Sequence, residues 1–247
     1  MTSGAIVPVA ADLLNRDTSP LHPIGGLPMI VHAVRVLAAV VDEVVVVGES
    51  GSEASVAAVV REHLPPEAAV TIVGARDETY SGAGRSRLLA TGAAALELRA
   101  GDAVLVHDPD RPLLTVEVVD AVLSALSTGA SAVVPVVEVT DTVKRLDRSG
   151  SGRVVGTLSR DRLRVVQTPY GFTAETLKRL ICEAAKTVDV GGELAAAHEL
   201  GIPLSTVRGC TEAFAVREPI DLIRAEALLV ERHRGPEERH RGPEEGR

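Results

Sequence analysis

Residues Val106-His107-Asp108-Pro109-Asp110-Arg111-Pro112 place two carboxylates, an imidazole and a guanidinium directly behind a short apolar run. A carboxylate at the end of a buried strand suits a hard divalent cation, which takes one or two such ligands and completes its shell with phosphate oxygens and water. A guanidinium close by matches phosphate with a two-pronged donor fork. By residue type alone, Asp108 suits a cation site and the cap of a helix or turn equally well. His107 in such a place most simply fixes a turn. A second candidate is Gly82-Ala83-Gly84, followed by Arg85 and Arg87, where backbone without side chains lets amide groups approach an anion. His22, His32, His63 and His198 are scattered and show no metal-ligand spacing.

These residues need a scaffold that gathers strand ends in one place. Apolar runs at 5–11, 44–47, 70–73, 103–106 and 132–137 alternate with helical spacings at 29–40, 52–63, 86–99 and 116–126. That alternation predicts a mostly parallel α/β sheet with right-handed crossovers and helices on both faces. Ligands of such sheets lie beyond the carboxyl ends of the strands, so residues 11–16, 48–51, 74–87 and 107–111 share one rim. The alternation breaks after residue 138. Extended stretches at 142–146 and 153–158 flank Arg148-Ser149-Gly150-Ser151-Gly152 and predict an inserted β-hairpin arm, about 139–164. Helices at 173–185, 193–200 and 219–230 and a strand at 204–207 complete a single domain, 1–230. From residue 231 the sequence ERHRGPE occurs twice in tandem, which predicts a charged, disordered tail over 231–247.

Aromatic residues are 2% of the chain, so Val, Ala and Leu must fill the core. The net charge of −8 excludes general affinity for nucleic acid or an anionic membrane, both of which need a basic face. No run approaches the roughly 20 apolar residues of a membrane span, and the expected location is the cytoplasm. Cys182 and Cys210 read as two reduced thiols in the core.

Four segments occur in a fixed order. Residues 106–112 are similar to V-H-D-A-A-R-P, and Pro135-Val136 with Asp141-Thr142-Val143-Lys144 to P-V-x-D-T-x-K. Asp161-Arg162-Leu163 stands at a D-R-x-x-L segment, and Gln167-Thr168-Pro169-Tyr170-Gly171-Phe172 is close to Q-T-P-Q-x-F. Together they resemble the 2-C-methyl-D-erythritol 4-phosphate cytidylyltransferases of isoprenoid precursor synthesis. The resemblance implies a Rossmann-like nucleotidyltransferase that joins CTP to a small phosphorylated acceptor, releases pyrophosphate, uses Mg²⁺ and forms a homodimer through the arm. It implies that Asp108 holds the metal, that Arg111 meets the base or the phosphates, and that His107 lies at the nucleotide. Thr142, Lys144 and Arg160 would meet the acceptor, across the dimer.

The nucleotide loop departs from that family's A-A-G-x-G-x-R. Here it reads Val9-Ala10-Ala11-Asp12-Leu13-Leu14-Asn15-Arg16. Ala10, Ala11 and Asp12 stand where backbone amides would meet the triphosphate, both glycines are replaced, and Asp12 adds a negative charge. No lysine precedes Lys144, so a cation at the reacting phosphate must be an arginine, with Arg16, Arg85 and Arg87 the candidates and Gly82 beside the last two. The family's T-D appears as Gly191-Gly192, and its acceptor-binding lysine as Ala215. The expectation is a degraded phosphate-binding loop. It leaves three functions open: a working cytidylyltransferase, an inactive homologue that binds a partner, or a nucleotidyltransferase for another substrate.

Overall fold

Valine-rich strands that are apolar on both faces belong between two layers of helices, and the computed structural model has that arrangement. It describes residues 1–75, 84–148, 152–185 and 192–233. β1 (Ser3–Val9) leads into a helical turn, α1 (Ala11–Leu14), and a small ribbon of β2 (Pro23–Ile24) and β3 (Leu27–Pro28). Then follow α2 (Met29–Ala38), β4 (Glu43–Glu49), α3 (Glu53–His63), β5 (Val70–Ala75), α4 (Gly84–Ala95), β6 (Ala103–Val106), α5 (Val116–Ser127) and β7 (Ala132–Glu138). The arm consists of β8 (Lys144–Leu146) paired antiparallel with β9 (Val154–Thr157). After it come β10 (Arg164–Val166), β11 (Tyr170–Thr173), α6 (Ala174–Ala184), α7 (Gly192–Glu199), β12 (Ser205–Arg208) and α8 (Pro219–His233).

β5, β4, β1 and β6 lie side by side and parallel. β11 runs antiparallel between β6 and β7, so the sheet is mixed, and β12 pairs in parallel with the other edge of β7. Alternate side chains divide the core. Ala5, Val7 and Val9 of β1 join Ile30, Val34, Val56 and Val119 beneath α2, α3 and α5, whereas Ile6 joins Leu88, Leu89, Leu177 and Ala197 beneath α4, α6 and α7. A smaller cluster of Ile24, Met29, Leu113, Val216, Ala225 and Leu229 seats α8. Among the described residues no helix is long and apolar enough to cross a membrane.

Three features differ from the sequence expectation. β10 and β11 were not anticipated, because Gln167-Thr168-Pro169 interrupts what is otherwise one extended path along β7; the Gln167 amide still donates to the Pro135 carbonyl (2.9 Å). α8 continues through His233, beyond the expected end at 230, since Arg232 reaches back to Glu212 (3.0 Å) and the Leu113 carbonyl (3.2 Å). Of the two thiols expected in the core, Cys182 is exposed, whereas Cys210 is half-buried and packs against the core edge. The rest of the repeated tail, 234–247, lies outside the described residues.

α5 packs directly on β11. A Cβ at Gly171 would stand 2.3 Å from Val122 Cγ1 and 3.1 Å from Leu126 Cδ1. Gly171→Ala is expected to lower stability by about 1–3 kcal/mol through overpacking; urea titration should show a lower midpoint at an unchanged slope.

Candidate active site

Between β1 and β6 the strand order reverses, and the crevice beyond the carboxyl ends at such a point is the ligand site of open α/β sheets. A cleft of about 310 Å³ opens there, lined by Leu13, Arg16, Arg85, Asp108, Asp110 and Arg217. Five of these six residues are charged, and they come from four separate stretches of chain.

β6 ends at Val106, and the turn after it is held by His107. The ring is fully buried. Its Nε2–H donates to the Arg111 carbonyl (3.1 Å), and its Nδ1 accepts from the Thr168 hydroxyl (3.2 Å). Thr168 Oγ1 in turn accepts the Asp108 amide at 3.2 Å. This relay needs a neutral ring, and burial pushes the imidazole down to about 4. His107 therefore has both nitrogens engaged with protein and positions the Asp108 amide through Thr168.

Asp108 points into the cleft against Arg85, which rises from the first turn of α4. Arg85 Nη1 lies 2.8 Å from Asp108 Oδ1, and Arg85 Nε donates to Glu193 Oε1 of α7 at 2.9 Å. The first contact joins charges without the angle of a hydrogen bond, so Asp108 Oδ1 keeps unused acceptor capacity. Burial works against the Arg85 charge, but the two carboxylates outweigh it and hold the guanidinium raised above its ordinary value. Asp110 is almost fully buried, with Oδ1 unpartnered. Burial, then the neighbouring Asp108 charge, push its carboxyl up.

The loop after β1 is a helical turn, with the Leu13 amide donating to Ala10 (3.1 Å). The Ala11 amide is taken by Glu49 Oε2 at 2.8 Å, and the other oxygen of Glu49 lies 3.5 Å from Arg87. Asp12 pairs with Arg16 at 2.5 Å, one turn along. Arg111, expected at the ligand, instead donates from Nη1 to the Ala213 carbonyl (3.0 Å) and does not line the cleft. Thr142, Lys144 and Arg160 sit exposed on the arm and do not line it either; Lys144 Nζ donates to Thr157 and Arg160 to the Thr140 carbonyl. Gly82 lies outside the described residues.

A family model for 2-C-methyl-D-erythritol 4-phosphate cytidylyltransferase matches residues 16–231. The chain belongs to this family. It is 40% identical over 218 residues to the cytidylyltransferase of that name from Streptomyces coelicolor, covering 86% of this chain and 78% of that one. The Nocardia farcinica cytidylyltransferase is 37% identical over 235 residues, covering 92% and 94%. The crystal structure of the Thermus thermophilus cytidylyltransferase superposes with a TM-score of 0.70 at 27% identity, over 92% of this chain and 98% of that one.

Set beside the family motifs, the structure adds one residue of the cleft wall, Arg217, and two that brace it, Glu193 and Glu49, all missed by sequence reading. Glu193, Glu49 and Arg217 find their partners 108, 38 and 107 residues away, and no local spacing betrays such pairs. The substitution of Asp110 for an alanine of the motif was visible, without its consequence. Asp110 Oδ1 has no partner, and Asp108 Oδ1 accepts no hydrogen bond beyond its ion pair with Arg85; two neighbouring carboxylates are the donor chemistry of a hard divalent cation. Among the described residues no three acidic, His or Cys side chains converge on one point, so further ligands would have to be substrate oxygens or water.

In the metal-free protein, unfolded His107 gains a proton below about 6.5 whereas the folded ring resists it down to about 4. Stability present above pH 6.5 is therefore lost as pH falls through that window. His107→Gln should remove this part of the acid slope, measured as the difference in urea midpoints between wild type and variant.

Proposed function

We propose that this chain is a cytoplasmic cytidylyltransferase that transfers CMP from CTP to 2-C-methyl-D-erythritol 4-phosphate. The observation that carries the reading is the convergence of Asp108, Arg85 and Arg16 on one cleft at the strand-order reversal, in a chain that matches its family over residues 16–231. A phosphate oxygen of the acceptor attacks the α-phosphorus of CTP. The bond from that phosphorus to the bridging oxygen of the β-phosphate breaks, and pyrophosphate leaves with the electron pair. Such a reaction asks the protein for position and charge, with little covalent chemistry. Asp108 would hold Mg²⁺, with Asp110 beside it; when bound, the ion supplies charge neutralisation at phosphate oxygens. Arg16 and Arg85 take the part of the absent lysines. Arg85 is already braced by Asp108 and Glu193, so it meets phosphate without reorganising.

Thr142, Lys144 and Arg160 belong to this reading through a homodimer. Leu146, Val154, Val155 and Leu158 leave the arm with exposed apolar side chains, which suits burial against a second copy whose cleft those polar residues would complete. Light scattering should give twice the 25.8 kDa chain mass; a monomer removes the roles assigned to the three residues.

A second reading, an inactive homologue retained for binding, is favoured by the loop after β1. Its Ala11 amide is occupied by Glu49. The two readings part on one assay. Pyrophosphate release with CTP, Mg²⁺ and the acceptor should occur, and Asp108→Ala should reduce it on the order of 10²-fold or more. No release from the wild-type protein favours the inactive homologue.

A further inference from the structure

Of the three arginines at the cleft, Arg217 is held least by carboxylates. Arg16 lies 2.5 Å from Asp12, and Arg85 lies 2.8 Å from Asp108 and 2.9 Å from Glu193. Arg217 touches Asp110 at 3.5 Å, and its side chain is 62% exposed. Its backbone is another matter. The Arg217 amide donates to Asp221 Oδ2 (3.2 Å) at the start of α8, and its carbonyl accepts from the buried Thr18 hydroxyl (3.2 Å). The chain leading to it is braced as firmly. Gln167 Nε2 donates to the Cys210 carbonyl (2.8 Å) and Gln167 Oε1 accepts the Cys210 amide (3.1 Å). Gly209 is needed for that grip, because a Cβ there would stand 2.3 Å from Gln167 Oε1. Arg111 takes the Ala213 carbonyl, the Val216 amide donates to the Asp110 carbonyl (2.8 Å), and Ala213 and Val216 are buried.

Residues 209–217 thus form a strap held at Cys210, Ala213, Val216 and Arg217, which brings a largely exposed guanidinium at its end to the cleft wall. We infer that Arg217 is a phosphate-binding residue of this chain, which grips phosphate oxygens of a substrate in the cleft. It supplies a fork where the family's acceptor-binding lysine is absent, at Ala215. Asp110 holds the guanidinium near the opening until an anion, a stronger partner for a fork of donors, takes it over. This rests on the cytidylyltransferase reading for the identity of the substrate, and on the cleft alone for the class of ligand.

The test uses inorganic tripolyphosphate and CTP, titrated with Mg²⁺ into the wild-type protein, Arg217→Ala and Arg217→Lys, together with the acceptor KM. A lost charged hydrogen bond should weaken phosphate binding about tenfold to hundredfold in Arg217→Ala. Arg217→Lys should recover part of it, because a point charge replaces the fork. Weakened tripolyphosphate and CTP binding places the contact on the nucleotide, and a raised KM with unchanged CTP affinity places it on the acceptor. Tripolyphosphate binding that depends on Arg217 without any CTP binding keeps the inference and removes the cytidylyltransferase reading. Unchanged affinities and KM in Arg217→Ala overturn the inference, as does a wild-type protein that binds neither probe.

Discussion

Arg85 stands between Asp108 and Glu193, and the cleft is organised around that contact. The guanidinium ties the end of β6 to the starts of α4 and α7, three elements that no backbone ladder joins at this point. Two largely buried carboxylates depend on it. Removing one member of such a set leaves an uncompensated charge, a far larger cost than the set's net contribution to stability. The arrangement is thus a constraint on geometry more than a source of stability. Asp108 is held from behind by the His107–Thr168 relay and from in front by Arg85, so its position is defined before any ligand arrives.

A comparable economy governs the loop after β1. Glycines would let bare amides face an anion. With Ala, Asp and Leu in their place the chain closes into a helical turn, and the Ala11 amide is satisfied by Glu49. An internal carboxylate does there what a phosphate oxygen would do. Asp12 is neutralised within the same turn by Arg16, so its charge reaches the cleft already countered.

Strands are legible in this sequence because buried parallel strands are unbroken apolar runs, and the helices between them keep their period. The arm is equally plain, announced by Gly150 and Gly152. β10 and β11 are not, since their extended path is interrupted by polar Gln167 and Thr168, whose side chains brace the strap and the β6 turn. Asp108 could be read as a site residue because its motif is local. Arg111 belongs to the same motif, yet the structure turns it to a backbone carbonyl of the strap. Arg217 and Glu193 escaped notice because a charge in a sequence declares nothing about the distant carboxylate or arginine it will meet.

The hydrogen bond from Thr18 to Arg217 spans 199 residues. Contacts of that separation carry a large loop-closure cost and tend to form late. A nascent chain that has already laid down β1, β4, β5 and β6 still lacks the strap, one cation of the cleft and the seat of α8. Scaffold and pocket are therefore separated in time: β1, β4, β5 and β6 precede the strap in the chain and can pair before it arrives to complete the pocket.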